Sequence, residues 1–139
     1  MLIPMVPVAA PDHPLGRMER IAPGAGRDYT QLVLTDRSRF TEGQDYSVMS
    51  PKTWRLADLG AKHALLREGI GWGNMPLPMI EPDLVAGTLV QLAMPDHPGG
   101  TYRFAGVWRR DTPPGPAASW LLEQFVGLGK NDAEIAGMI

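Results

Sequence analysis

A chain of 139 residues has room for one domain with a real core, and a hydrophobic fraction of 44% is that of a folded protein. The net charge is −2, with no cluster of Lys or Arg to meet phosphates, so direct nucleic-acid binding by these residues is not expected. With no cysteine there is no disulfide, thiolate metal site or cysteine nucleophile, a composition compatible with a reducing cytosol. Fourteen prolines and sixteen glycines predict short elements with frequent turns.

Met1–Ala10 is apolar but lacks a basic leader, and prolines interrupt it. It reads as a buried strand rather than a signal peptide, and no apolar run approaches the roughly 18 residues of a membrane helix. The predicted strand covers Met5–Ala10 and ends at Pro11-Asp12-His13-Pro14, where prolines cannot donate to a ladder. A short helix is predicted over Leu15–Ile21 and a loop at Pro23–Gly26. Gln31–Leu34 is a second strand; its unbroken Leu32-Val33-Leu34 suits a parallel strand covered on both faces. Thr35–Gln44 is a polar loop and Tyr46–Met49 a third strand.

Asp58 is an N-cap or first-turn acid for a helix whose apolar face is drawn by Ala61, Ala64, Leu65 and Ile70, with Lys62, Arg67 and Glu68 polar. Gly69 stops that helix. Trp72–Met75 is a short strand cut by Pro76, Pro78–Val85 a helix ending near Gly87, and Leu89–Met94 a strand ending at a second Pro-Asp-His-Pro, residues 95–98. Tyr102–Arg109 alternates as a strand. Pro113–Pro116 opens a last helix with Trp120, Leu121, Phe125 and Leu128 at helical spacing. Strands alternating with helices predict an α/β fold with a largely parallel sheet.

The chemistry on offer is sparse. His13, His63 and His97 do not stand at ligand spacing, so no metal site is expected. No serine has a nucleophile-elbow context, and Asp58, Glu68, Glu81 and Asp83 read as capping and surface acids. Gly69-Ile70-Gly71-Trp72-Gly73 follows a helix and precedes a strand, the reverse of a phosphate loop, and reads as a tight turn. No catalytic constellation and no cofactor are expected.

One order of pieces is specific. Trp54–Asp58 precedes an Ala/Leu-rich helix, then Glu68–Pro76 with its Gly-x-Gly turn, then Asp83-Leu84 and Gly87-x-Leu89-Val90. With His13-Pro14-Leu15 and Pro116–Phe125 around it, this order resembles the effector-binding domain of LysR-type transcriptional regulators, from Val6 to Phe125. The resemblance implies a type II periplasmic-binding-protein-like α/β fold, mainly the second lobe with crossover strands and a terminal helix of the first. Residues 1–9 would be a crossover strand, 10–101 the second lobe, 102–128 the return crossover strand and first-lobe helix, and 129–139 a tail. The winged helix and the first half of lobe one have no counterpart here. That implies a piece of a regulator whose exposed Trp120/Leu121/Phe125 face self-associates or leaves the chain poorly stable.

The resemblance further implies a cytoplasmic homo-oligomer away from membranes. It would sense a small-molecule effector between lobes and reach DNA only through a winged helix outside this chain. Carried over by position, the effector wall comprises Asp36, Arg37, Ser38 and Phe40 with Arg39, and Thr53, Trp54 and Arg55, over a hinge floor that includes Val8 and Gly106. The arginines suit an anionic effector and Phe40 and Trp54 an aromatic one; the plainer reading makes the arginines solvated and Trp54 a core plug. The alternative is a stand-alone solute-binding or dimerisation module of the same fold.

Overall fold

A computed structural model describes residues 1–35 and 47–137, without the side chains of 128–137. The elements are β1 (Leu2–Ala9), α1 (Pro14–Arg17), a 3-10 turn (Ala25–Asp28), β2 (Gln31–Leu34), β3 (Thr53–Leu56), α2 (Leu59–Arg67), β4 (Gly73–Pro76), α3 (Leu77–Ala86), β5 (Val90–Gln91), β6 (Gly100–Arg103) and α4 (Pro116–Gly137). They fall into two units, Pro4–Gly100 and Met1–Ile3 with Thr101–Ile139.

In the larger unit β1 is the central strand. It runs antiparallel to β4, with Val6 opposite Met75 and Val8 opposite Gly73, and antiparallel to β5, with Ala9 opposite Val90. Successive side chains of a strand alternate between faces. Val6 and Val8 accordingly enter one core with Leu32, Leu66, Met75, Ile80 and Leu89, and Ala9 enters another with Leu15, Ile21, Trp72, Leu92 and Met94. β2 and β3 pair in parallel, with Leu32 opposite Trp54, and a single parallel bridge from Gln31 to Trp72 connects β2 to the strand beside β1. The expected largely parallel sheet is therefore mixed. Crossovers around β2 give parallel neighbours, whereas β1 enters from the opposite end and runs against both of its own in this unit. Leu32 is buried, but Leu34 at the far end of β2 is exposed, so cover on both faces extends over only part of the strand.

Several boundaries move for identifiable reasons. Ser47–Met49 is not a strand, because the Met49 and Ser50 amides donate to the side-chain oxygen of Gln31 instead of to a ladder; the strand forms later, at Thr53–Leu56. Tyr46 lies outside the described residues. α1 stops at Arg17, short of the expected Ile21. β5 is shorter than Leu89–Met94; beyond its two residues, Leu92 donates one more bond to the Pro7 carbonyl. β6 ends at Arg103 rather than Arg109, and Phe104 donates one more bond to the Met1 carbonyl.

Local chemistry explains the turns. Both Pro-Asp-His-Pro segments close the same way, His13 N–H to the Ala10 carbonyl at 3.1 Å and His97 N–H to the Met94 carbonyl at 3.2 Å. Both imidazoles are buried. His13 Nδ1 accepts from the Leu15 amide, and the Asn74 side-chain amide lies 2.8 Å from His97 Nε2. Burial pushes both histidines below their ordinary pKa, with Asp12 and Asp96 acting against it. The Gly69–Gly73 segment is the expected tight turn. Gly69 and Gly71 have positive φ, and a Cβ on Gly71 would overlap the Thr30 carbonyl oxygen.

The helix face needs correction. Lys62 and Leu66 are the buried residues of α2, while Ala61 and Ala64 are exposed. The Lys62 stem lies in the core and Nζ donates to the Asn74 carbonyl at 2.7 Å, with burial pushing its pKa down to about 8.

Between that value and the ordinary 10.5, the unfolded chain binds more protons than the folded one, so stability should rise with pH across the window. Urea melts should show a rise on the order of 2 kcal/mol from pH 8 to 10.5 that is absent in Lys62→Met; equal slopes would contradict a buried amine. Gly71→Ala should cost at least about 1 kcal/mol, read as a lower urea midpoint at unchanged m-value.

Candidate functional site

In open α/β sheets, ligands gather beyond the carboxyl ends of parallel strands. Here those ends are Leu34 of β2 and Leu56 of β3, and they are tied together. The Thr35 amide donates to the Leu56 carbonyl at 2.7 Å and the Thr35 hydroxyl to the same oxygen at 3.1 Å. Ala57 and Asp58 then lead into α2, where Asp58 Oδ1 accepts the Ala61 amide at 2.6 Å as the expected N-cap. One amide of that helix start is thus already satisfied by a carboxylate, which lowers the attraction of the helix end for a free anion.

The expected wall residues divide. Thr53, Trp54 and Arg55 lie on β3 opposite Gln31, Leu32 and Val33. Thr53 sits at the start of the strand, roughly 10 Å from its carboxyl end at about 3.3 Å per residue. Trp54 is 51% exposed, so it is no core plug, and Arg55 is exposed on the same strand. Val8 is fully buried in the core around Leu66 and Met75, so its side chain has no free surface to offer. Gly106 belongs to the smaller unit, where Leu122 packs over it. Asp36, Arg37, Ser38 and Phe40 lie outside the described residues.

Sequence reading passed over the residues that position this edge. Gln31 is buried; its amide nitrogen donates to the Ser47 carbonyl at 2.8 Å, and its oxygen accepts from Met49 at 2.8 Å and Ser50 at 3.0 Å. The Ser50 hydroxyl donates toward the Tyr29 and Arg27 carbonyls and accepts the Lys52 amide. The chain returning to β3 is therefore fastened to the first residue of β2. The one signal for this was a lone amide at the head of an apolar strand.

Asp83 is likewise not a surface acid. Its carboxylate is buried, held by Arg67 Nε at 2.7 Å and Nη2 at 3.1 Å, Thr88 Oγ1 at 2.6 Å and His63 Nε2 at 2.7 Å. The Arg67 guanidinium keeps it well below the usual carboxylate range, with Thr88 and His63 adding to that and burial opposing it. This clasp fixes α2, and with it the Asp58 end, against α3. It also accounts for the acid in the Asp-Leu-x-x-Gly-x-Leu-Val pattern. Among the described residues no group of three or more His, Asp or Glu could hold a metal ion. An open groove of about 450 Å³ lies beside α1 and β5, lined by Leu15, Met18, Ile21, Val90 and Leu92 among others, and includes none of the expected wall residues.

The pattern of the LysR substrate binding domain family matches residues 2–128. The probable HTH-type transcriptional regulator YhaJ of Escherichia coli K12 is 28% identical over 123 residues, 87% of this chain and 40% of that protein. The chain thus spans less than half the length of the curated relatives it matches. Among solved structures, the regulatory domain of MetR, a LysR family regulator from N. meningitidis, superposes with a TM-score of 0.53 at 19% identity, covering 72% of this chain and 48% of that one. The C-terminal domains of a LysR family protein from Agrobacterium tumefaciens give 0.52 at 24%, covering 72% and 50%. Full-length LysG from Corynebacterium glutamicum with bound effector Arg gives 0.50 at 16%, covering 72% and 35%. These likenesses establish the α/β, type II periplasmic-binding-protein-like fold.

Asp83→Asn should lower stability at neutral pH by about 1 kcal/mol, a modest figure because Arg67 is half exposed. Since the folded pKa of Asp83 lies below the unfolded one, the clasp contributes fully above about pH 4 and is lost as the pH falls through the folded value. Melts of the two proteins should therefore converge in acid; a difference that persisted there would assign the loss to packing.

Proposed function

We propose, from the premise that the chain belongs to the LysR substrate-binding domain family, that it recognises a small-molecule effector at the carboxyl edge of β2 and β3 as part of a transcriptional regulator. The match over residues 2–128 carries this reading. In it, residues 10–101 are the second lobe, 1–9 and the start of 102–128 the crossover strands, 102–128 ending in a first-lobe helix, and 129–139 a tail. Arg37 and Arg55 meet a carboxylate on the effector with paired hydrogen bonds. Phe40 and Trp54 offer apolar faces, and Asp36 and Ser38 supply polar contacts. Asp58 fills part of the helix start, so the arginines rather than helix amides carry the anion, and its second oxygen suits a polar or cationic group on the same ligand. That LysG holds arginine supports an amino-acid-sized effector of mixed charge.

In the whole regulator, binding shifts a population between two arrangements of a homo-oligomer, and the winged helix that touches DNA is supplied outside residues 1–139. The relatives are transcriptional regulators, which supports a sensor rather than an enzyme, and a cytoplasmic place beside DNA. No described helix is long and apolar enough to cross a membrane.

Thermal shift and calorimetry against a panel of amino acids and small carboxylates should find at least one ligand that raises Tm in a concentration-dependent way. Arg55→Ala and Arg37→Ala should each weaken it by roughly tenfold or more. A panel with no ligand, or a ligand indifferent to both substitutions, would remove this assignment.

A further inference from the structure

β5 stands at the end of its sheet, with one edge taken by β1 and the other bare. Leu92 donates to the Pro7 carbonyl at 2.8 Å, so these two are a hydrogen-bonded pair of the antiparallel ladder. In such a ladder the next residue along turns its N–H and C=O the other way. Gln91 and Ala93 therefore point their backbone groups away from β1, and among the described residues those groups meet no partner. Both residues are exposed, and they lie roughly 7 Å apart, the repeat at which an added strand pairs with an edge.

The ground beside this edge is apolar. Val90 and Leu92 share a face with Ala9, and on that face the groove of about 450 Å³ runs between β5 and the Leu15–Ile21 segment. Leu15, Ile21 and Leu92 are buried beneath it, and Met18 is 38% exposed on its wall. Arg17 and Arg20 are exposed on either side of Met18 and Glu19, and neither arginine forms an ion pair among the described residues. The rim is thus positive by one charge. The groove is also remote from the edge of β2 and β3. β4 runs parallel to β2 through the Gln31–Trp72 bridge, and its carboxyl end, Pro76, stands opposite Met5, whereas β5 pairs at Val8 and Ala9. Pro4 and Gly100, where the larger unit passes into the rest of the chain, stand at the Met5 end as well, about 13 Å of strand from Ala9.

We propose that β5 takes up an extended peptide of a protein partner as an added strand, with apolar side chains in the groove and an acidic residue against Arg17 and Arg20. Main-chain bonds to Gln91 and Ala93 hold the peptide, and every second side chain enters beside Val90 and Leu92. The pairing edge is short, so the groove and the arginines supply the selectivity. A lipid tail or an aromatic small molecule would cover the apolar floor and leave the Gln91 and Ala93 groups unmatched, whereas a peptide backbone satisfies both. The site shares no residue with the effector edge, and the proposal does not rest on effector binding.

The probe is a fluorescein-labelled hexapeptide with glutamate at both ends and threonine alternating with valine and leucine between them. Titrated with residues 1–139, it should give saturable anisotropy below about 1 mM. Two versions N-methylated on alternate amides distinguish strand addition from other modes, because one set of methyls faces the β5 edge and the other faces away. One version should bind at least about tenfold more weakly, and the other within about twofold of the parent. Arg20→Glu, with its melt unchanged, should weaken the parent peptide at least about fivefold, and a peptide with lysine in place of glutamate should bind more weakly than the parent. Val85→Glu, 90% exposed on α3, should leave binding intact. Absence of saturation would overturn the proposal. Equal affinity of the two methylated peptides would overturn it too, and would leave the groove to a small apolar ligand or to charge attraction alone.

Discussion

Everything in the larger unit depends on β1 being covered on both faces and paired on both edges. Val8 and Ala9, adjacent in sequence, lie in different cores, and Pro7 between the paired edges gives its carbonyl to Leu92. A one-residue slip would send Val6 and Val8 into the space built for Ala9 and expel them from the space around Leu66 and Met75. The two histidine turns close the chain after β1 and after β5, and Trp72 locks the second face by donating its indole N–H to the Gly26 carbonyl at 3.0 Å. Gly26 is required there, because a Cβ would press on the Trp72 ring.

Around that core the protein buries more polar groups than its sparse charge suggests, and among the described residues none of their buried side-chain atoms lacks a partner. Gln31, Lys62, Asp83 and His97 each tie one segment to another farther along the chain, and His13 closes its own turn. Buried polar groups of this kind cost heavily when left alone and specify position when satisfied. Their placement holds the carboxyl edge of β2 and β3 in one arrangement. Gln31 and Thr35 hold the two ends of β2 to the neighbouring chain, and Asp83 holds α2 against α3, so the edge near Asp58 is built on fixed elements.

Much of the fold was legible in the residues. Asp58 as a cap, Gly69 and Gly87 as stops, the Gly69–Gly73 turn and the strand at Gln31–Leu34 follow from local backbone chemistry, which the neighbours of each residue largely determine. The misreadings share one cause. Lys62 looked polar and is buried, Asp83 looked superficial and is buried, and Ser47–Met49 looked like a strand and is fastened to a glutamine. In each case the deciding partner (Asn74, Arg67 or Gln31) is distant in the chain or on another element. The candidate site was less legible still. The resemblance put Trp54 on a wall and Val8 on a floor, but the exposure of Trp54 and the burial of Val8 depend on which edge and which face each residue occupies.

The sequence by itself determined the family, the mixed helix–strand character and the punctuation of the elements, because caps, glycine conformations and prolines act within a few residues. Only the tertiary structure decided the antiparallel setting of β1, the identity of the buried charges and the edge of β5 left without a partner. Those depend on pairing and packing between distant segments, where solvation rather than local propensity sets the energy.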